Sequence, residues 1–118
     1  DHLVTLATRT LANMRLRPDN IEKNLTLLHG LNMAENVMVE LAKKGVGRQQ
    51  AHEIMRQSSM TAFEQKRELA DVLMENEIVT KNLKEEEIRA LLDPHQYIGT
   101  AVQQVERLNE KLQKLYLA

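Results

Sequence analysis

The sequence contains no cysteine and no tryptophan, and glycine, proline and aromatic residues are scarce. Without cysteine, disulfide bonds and thiolate metal sites are excluded, and the composition fits a reducing compartment. With only 3% aromatic residues, the apolar interior has to be built from Leu, Val, Ile, Met and Ala. Chains rich in Leu, Met and Ala, with 4 glycines and 2 prolines, favour helices.

An excess of one charge and a long hydrophobic run are also missing. The 16 basic and 17 acidic residues leave a net charge of -1. The sequence therefore lacks the excess of positive charge that is typical of nucleic-acid-binding proteins. No apolar stretch approaches the roughly 20 residues that cross a bilayer, and no signal segment stands at the start. We therefore predict a cytoplasmic, single-domain protein of 118 residues with no nucleic-acid or membrane partner.

Hydrophobic periodicity predicts an all-α fold, a compact bundle of about five to seven helices. Pro18 suits the first turn of a helix, and Gly30 and Gly45 suit helix ends. The pairs Asn32/Glu35 and Asn82/Glu85 each match the spacing of a capping box. The predicted helices span 1–16, 18–28, 32–44, 47–76, 84–92 and 101–116.

Two places in this pattern leave the local structure open. Ser58-Ser59 predicts a bend in the long segment 47–76, because hydroxyl groups can bond back to the preceding turn, and the segment may equally be two helices in sequence. Ile78-Val79-Thr80 is β-branched but too short for a sheet, so we predict an extended connector. At the start, Asp1 leads straight into a helical pattern without Met, which indicates a piece of a longer polypeptide.

The four histidines, His2, His29, His52 and His95, are the obvious candidates for chemistry. A metal site needs at least two of them converging, as in an i,i+4 pair with a carboxylate. None has that spacing, so we interpret them as surface or capping residues and predict no metal or cofactor.

Four short runs, however, occur together in an informative order. The first begins with Pro18-Asp19 and has Asn24 five residues after the aspartate. The last reads Asp-Pro-x-x-Tyr-Ile-Gly. Together they resemble the C-terminal helical domain of adenylosuccinate lyases, in the fumarase/aspartase superfamily, although Ile21 stands where Met is usual. The motif residues are Pro18, Asp19, Asn24 and Leu25; Gly30, Leu31, Ala34 and Glu35; Gly45, Arg48, Ala51 and His52; and Leu92, Asp93, Pro94, Tyr97, Ile98 and Gly99.

The resemblance implies that residues 1–16 end a long helix of a preceding central domain and that 17–118 form the C-terminal domain. It also implies a homotetrameric enzyme that eliminates fumarate from adenylosuccinate and from the succinyl-carboxamide ribotide, without a metal. The catalytic residues of such an enzyme would lie outside this chain. We therefore predict no catalytic residue here, and we expect the motif residues to cap and pack helices.

Ser58-Ser59-Met60 is partly similar to the mobile catalytic loop of that superfamily, which reads roughly Gly-Ser-Ser-x-Met-Pro-x-Lys-x-Asn. Here the Gly, Pro and Asn are missing, and the residues that follow favour a helix. A flexible loop is not expected in such a run, so we predict a structural role for both serines.

The last helix supports an alternative function. Val102, Val105, Leu108, Leu112 and Leu115 form a near-heptad seam, which would suit a stand-alone helical module that binds a partner helix. The apolar face of the first helix likewise predicts self-association of the isolated chain.

Overall fold

A computed structural model describes residues 1–116 as helices joined by short turns, and within that range there is no strand. The all-α prediction is therefore confirmed, with eight α-helices in place of the expected five to seven. Two 3₁₀ turns accompany them, at Leu31–Met33 and Pro94–Tyr97. The helices are α1 (His2–Ala12), α2 (Pro18–Thr26), α3 (Ala34–Lys43), α4 (Arg48–Gln65), α5 (Leu69–Met74), α6 (Glu77–Asn82), α7 (Glu85–Leu91) and α8 (Ala101–Tyr116).

The core lies among α3 to α7. Helix α3 packs along α4, and α5 packs against α4, α6 and α7. No aromatic side chain takes part, so the interior is aliphatic with methionine filling the gaps, as the composition predicted. The largest fully buried side chains are Leu41, Leu69, Leu73, Ile88, Val37 and Val79.

Helices α1, α2 and α8 bury no residue. The radius of gyration is accordingly 20.7 Å and the longest dimension 62 Å, whereas a compact domain of about 100 residues has a radius near 13 Å. Apolar side chains on α1 and α8 face solvent. Leu3 on α1 is 78% exposed, and Leu108 on α8 is 57% exposed. Among the described residues, no helix combines the length and apolar character needed to cross a bilayer.

The predicted capping box at Asn32 is wrong. Asn32 lies inside the first 3₁₀ turn, α3 begins only at Ala34, and no side chain caps it. The backbone N–H of Met33 instead donates to the Gly30 carbonyl at 3.0 Å. The N–H of Ala34, the first residue of α3, donates to the Leu31 carbonyl, so the turn supplies a backbone acceptor at the start of this helix.

The long predicted helix divides in two, but not at the serines. Helix α4 runs unbroken through Ser58 and Ser59 and ends at Lys66, which has a left-handed φ of 53°. The N–H of Arg67 then donates to the Ala62 carbonyl at 3.0 Å, which closes the helix end. The alternative of two helices in sequence is therefore confirmed, with the break between Gln65 and Leu69 and not at Ser58-Ser59.

The extended connector expected at residues 78–80 is also wrong, because these residues lie in α6. The Asn76 side chain caps this helix by accepting hydrogen bonds from the N–H groups of Ile78 (3.0 Å) and Val79 (3.3 Å). Val79 is fully buried. A good cap and the burial of one side chain thus outweigh the weak helix propensity of β-branched residues.

Other boundaries move by a few residues. Helix α1 ends at Ala12 and not at residue 16, and α2 ends at Thr26 and not at 28. The second predicted capping box is displaced as well, since α7 begins after Lys84 and not at Asn82. There the Lys84 N–H donates to the Glu87 carboxylate at 2.8 Å.

Replacing a leucine by alanine should destabilise the fold much more at a buried position than at an exposed one. Leu73 is completely buried, whereas Leu11 is 67% exposed. Leu73→Ala should lower the free energy of unfolding by about 2–5 kcal/mol through lost burial and a cavity, whereas Leu11→Ala should change it by less than about 0.5 kcal/mol. Urea unfolding followed by circular dichroism measures both, and equal effects would contradict this location of the core.

Candidate functional site

A cleft of about 370 Å³ lies between α2 and the core. One wall is formed by α2 and the turn that follows it. The other wall is formed by α5, α7 and the second 3₁₀ turn. The lining residues are Leu25, Thr26, His29, Gly30 and Asn32 on the first side, and Glu68, Ala70, Arg89, Leu92 and Pro94 on the second.

One histidine in the cleft and another next to its lining residue Pro94 pair with carboxylates. His29 Nδ1 lies 2.7 Å from Glu68 Oε1. His95 contacts two carboxylates, with Nδ1 2.8 Å from Asp93 Oδ1 and Nε2 3.1 Å from Glu22 Oε2. The hydrogen bond to Asp93 and the charge of Glu22 raise the pKa of His95 above its ordinary value. In return, hydrogen bonds from the backbone and ring of His95 lower the pKa of Asp93.

The cation on the opposite wall, Arg89, is already paired. Its Nη2 lies 3.0 Å from Asp71 Oδ1 and its Nε 2.9 Å from Glu85 Oε1, and these hydrogen bonds raise the pKa of the guanidinium. A paired guanidinium offers little charge to an anionic ligand. Within residues 1–116, no three His, Asp or Glu side chains converge to hold a metal ion.

The turn at Gly30 brings two of the four motifs together. Gly30 has a φ of +85°, and a Cβ there would lie 3.7 Å from Leu69 and Leu92. The carbonyl of His29 accepts a hydrogen bond from the Leu69 N–H at 3.0 Å. The second motif is thereby joined to α5 and to Leu92 of the fourth motif.

The third motif surrounds the beginning of α4. Gly45 has a φ of +94° just after α3, and Ala51 is completely buried in the core. Arg48 and His52 are exposed on the other side of α4. The motif thus combines a turn and a packing position with two exposed side chains.

A shallow groove between α3 and α4 brings His52 and Glu35 together, with Met38, Met55 and Ser59 among its other lining residues. At its edge Arg56 makes a bidentate pair with Glu53, at 2.6 and 2.9 Å. These hydrogen bonds, with one from Gln57, lower the pKa of Glu53 to about 2.

The fourth motif shapes the second 3₁₀ turn. The Asp93 carboxylate accepts a hydrogen bond from the His95 N–H at 3.0 Å, and Pro94 is the first residue of the turn. The Tyr97 hydroxyl donates to the Leu91 carbonyl at 3.2 Å. Gly99 has a φ of 57° and precedes α8. All four residues redirect the chain between α7 and α8.

The first motif lies on α2 and meets the second and fourth motifs at the cleft, which Leu25 lines together with Gly30 and Leu92. Pro18 is the first residue of α2, as predicted, and it is exposed, as is Asn24 on the same helix. Ser58 is buried within α4 and Ser59 is partly buried beside it, so these serines lie in a helix and not in a loop, also as predicted.

The contacts of Glu22 and Glu68 were missed by the sequence analysis. Glu22 is 73 residues from His95, and Glu68 is 39 residues from His29, so no local spacing could pair them. Only the Asp93-x-His95 pair carried a local signal, since an aspartate before a proline commonly caps the following turn.

Comparison with known proteins identifies the family of this chain. Residues 30–108 match the family described as adenylosuccinate lyase C-terminus, a stretch that contains the whole core and the Gly30 and Asp93-Pro94 turns. The chain belongs to this family. Membership in the adenylosuccinate lyase C-terminal family agrees with the resemblance found in the four motifs and with the all-α fold.

Individual relatives extend the match over most of the chain. The adenylosuccinate lyase of Methanocaldococcus jannaschii is 48% identical over 112 residues, which are 95% of this chain and 24% of that protein. The adenylosuccinate lyase of Archaeoglobus fulgidus is 45% identical over 108 residues, 92% of this chain and 24% of that protein. The N-acetyl-S-(2-succino)cysteine lyase of Dickeya dadantii is 36% identical over 98 residues, 83% of this chain and 21% of that protein. The chain thus spans about a quarter of the length of the curated adenylosuccinate lyases it matches.

A matched pair of glycine substitutions tests whether the motif glycines act through backbone conformation. Gly30→Ala should lower the free energy of unfolding by about 1–2 kcal/mol, because an L-residue is strained at a left-handed φ. Gly47→Ala serves as the control, since Gly47 has a φ of -54° and its added Cβ would meet no atom within 4 Å. Thermal or urea unfolding measures both, and equal stabilities of the two variants would contradict a conformational role for Gly30.

Proposed function

We propose that this chain is the C-terminal helical domain of an adenylosuccinate lyase. The whole enzyme, a carbon–nitrogen lyase of the cytoplasm, would eliminate fumarate from adenylosuccinate to leave AMP, and from the succinyl-carboxamide ribotide of purine synthesis. The observation that carries this proposal is the 48% identity to an adenylosuccinate lyase over nearly the whole chain. Residues 1–16 would then end a helix of the central domain, and 17–118 would form the C-terminal domain.

The side chains of this domain support a structural role. An elimination needs a general base and a general acid within hydrogen-bond reach of the substrate. His29 and His95 are instead bonded to carboxylates at 2.7–3.1 Å, and Arg89 is paired with two more. We infer that the reacting groups and the nucleotide-binding residues lie elsewhere in the enzyme, and that the motif residues cap and pack helices.

The exposed apolar faces of α1 and α8 would be contact surfaces in the assembled enzyme. Apolar side chains that remain 52–78% exposed on α1, such as Leu3 and Leu6, are typical of surfaces that another chain or domain covers. A homotetramer, expected from the family resemblance, would provide such cover.

The α8 seam favours a second candidate, a stand-alone helical interaction module. Its seam residues Val102, Val105, Leu108, Leu112 and Leu115 are all 44–69% exposed. A related lyase that acts on another succinyl compound is a further alternative, because one relative is an N-acetyl-S-(2-succino)cysteine lyase.

Fumarate release from adenylosuccinate separates these functions. The full-length gene product should release fumarate, measured by the accompanying absorbance change, whereas the 118-residue chain alone should not. Activity of the isolated chain would contradict the structural role. A full-length product inactive on adenylosuccinate would instead point to another succinyl substrate or to the interaction module.

A further inference from the structure

Helix α2 is attached to the rest of the domain chiefly by polar contacts. It buries no residue, only Leu25 of its nine residues is partly buried, and the 370 Å³ cleft lies beneath it. Apolar packing therefore contributes little to its position. Among residues 1–116, two polar contacts remain, one from Glu22 at the middle of α2 to His95 and one just beyond its C-terminal end at His29.

The two attachments differ in chemistry. Beyond the C-terminal end, the His29 ring pairs with Glu68 at 2.7 Å, and the His29 backbone carbonyl accepts from the Leu69 N–H at 3.0 Å. The backbone bond does not depend on pH. At the middle of α2, the attachment is the side-chain bridge from Glu22 to His95 at 3.1 Å. This bridge joins α2 to the second 3₁₀ turn.

The geometry of His95 requires a protonated ring. Its Nδ1 and Nε2 both lie within hydrogen-bond distance of carboxylate oxygens, of Asp93 and Glu22 respectively. A carboxylate only accepts, so both ring nitrogens must donate, which only the imidazolium can do. A neutral ring has one N–H and leaves a nitrogen lone pair facing an oxygen.

The bridge to Glu22 is the one that deprotonation should break. Asp93 is held by its own turn, because it also accepts from the backbone N–H of His95 at 3.0 Å and from Gln96 at 3.2 Å. Glu22 makes no comparable local bond among the described residues. We propose that His95 is a proton-dependent latch, which holds the middle of α2 against the second 3₁₀ turn and releases it when the ring loses its proton.

The charged groups around the latch define its pH range. Asp93 and Glu22 act directly on His95, while on the other elements of the cleft Glu68 is paired with His29, and Arg89 with Asp71 and Glu85. Since the pKa of His95 is raised above 6.5, the latch is closed below that value and opens as the pH rises through the raised pKa. Since the pKa of Asp93 is lowered from 3.8, the latch also weakens as acid protonates Asp93.

Amide hydrogen exchange at two pH values tests the latch in the whole chain, with rates corrected for intrinsic exchange. Amides of residues 21–26 should exchange roughly twofold to fivefold faster at pH ~8.5 than at pH ~5.5, the range expected for one exposed ion pair. Amides of Leu41 and Leu73 in the core should not change. In an NMR titration, the α2 amide resonances should follow the midpoint of the His95 ring.

Three variants make the test specific. His95→Gln should abolish the pH dependence of exchange in α2, and Glu22→Gln should do the same while bringing the pKa of His95 back toward its ordinary value. His52→Gln, which changes an exposed histidine on α4, should retain the wild-type behaviour. All these side chains are exposed, so the fold is expected to survive, which far-UV circular dichroism checks. The proposal would be overturned if exchange in α2 were independent of pH in the wild type, or if its pH dependence persisted in His95→Gln.

Discussion

Burial of the short helix α5 is the interaction on which the other helices of the core depend. Four of its six residues are buried, and α4, α6 and α7 all pack against it. Leu69, its first residue, also donates its N–H to the His29 carbonyl, which fixes the turn before α3. A helix of six residues is not stable alone, so α5 exists only because its neighbours enclose it. The core is therefore cooperative, although it is built from short helices.

The outer helices follow a different rule. Helices α1 and α8 have regular apolar stripes yet bury nothing within the described chain, and α2 is held chiefly by polar contacts. The exposed apolar stripes of α1 and α8 are therefore suited to contact surfaces that lie outside this domain. That division agrees with a chain that spans about a quarter of the length of the adenylosuccinate lyases it matches.

The sequence predicted the helical class and most of the helices, because apolar spacing is a strong local signal. It failed where a local feature competed with a weak propensity. The cap supplied by Asn76 made Ile78-Val79-Thr80 helical, and the left-handed Lys66 ended α4 at a residue that carries no sequence signal for it. At the cleft, the Asp93-Pro94 turn was predictable. The bridges from His29 to Glu68 and from His95 to Glu22 were not, since they join residues far apart in sequence.

We propose that the reacting groups of the lyase lie outside this chain. The most direct test is kcat/KM for fumarate release by the full-length enzyme carrying His52→Gln and His95→Gln together. We expect a value within about twofold of the wild type at pH ~7. A loss of roughly a hundredfold or more, the contribution expected of a general acid or base, would contradict it and would place catalytic chemistry in this domain.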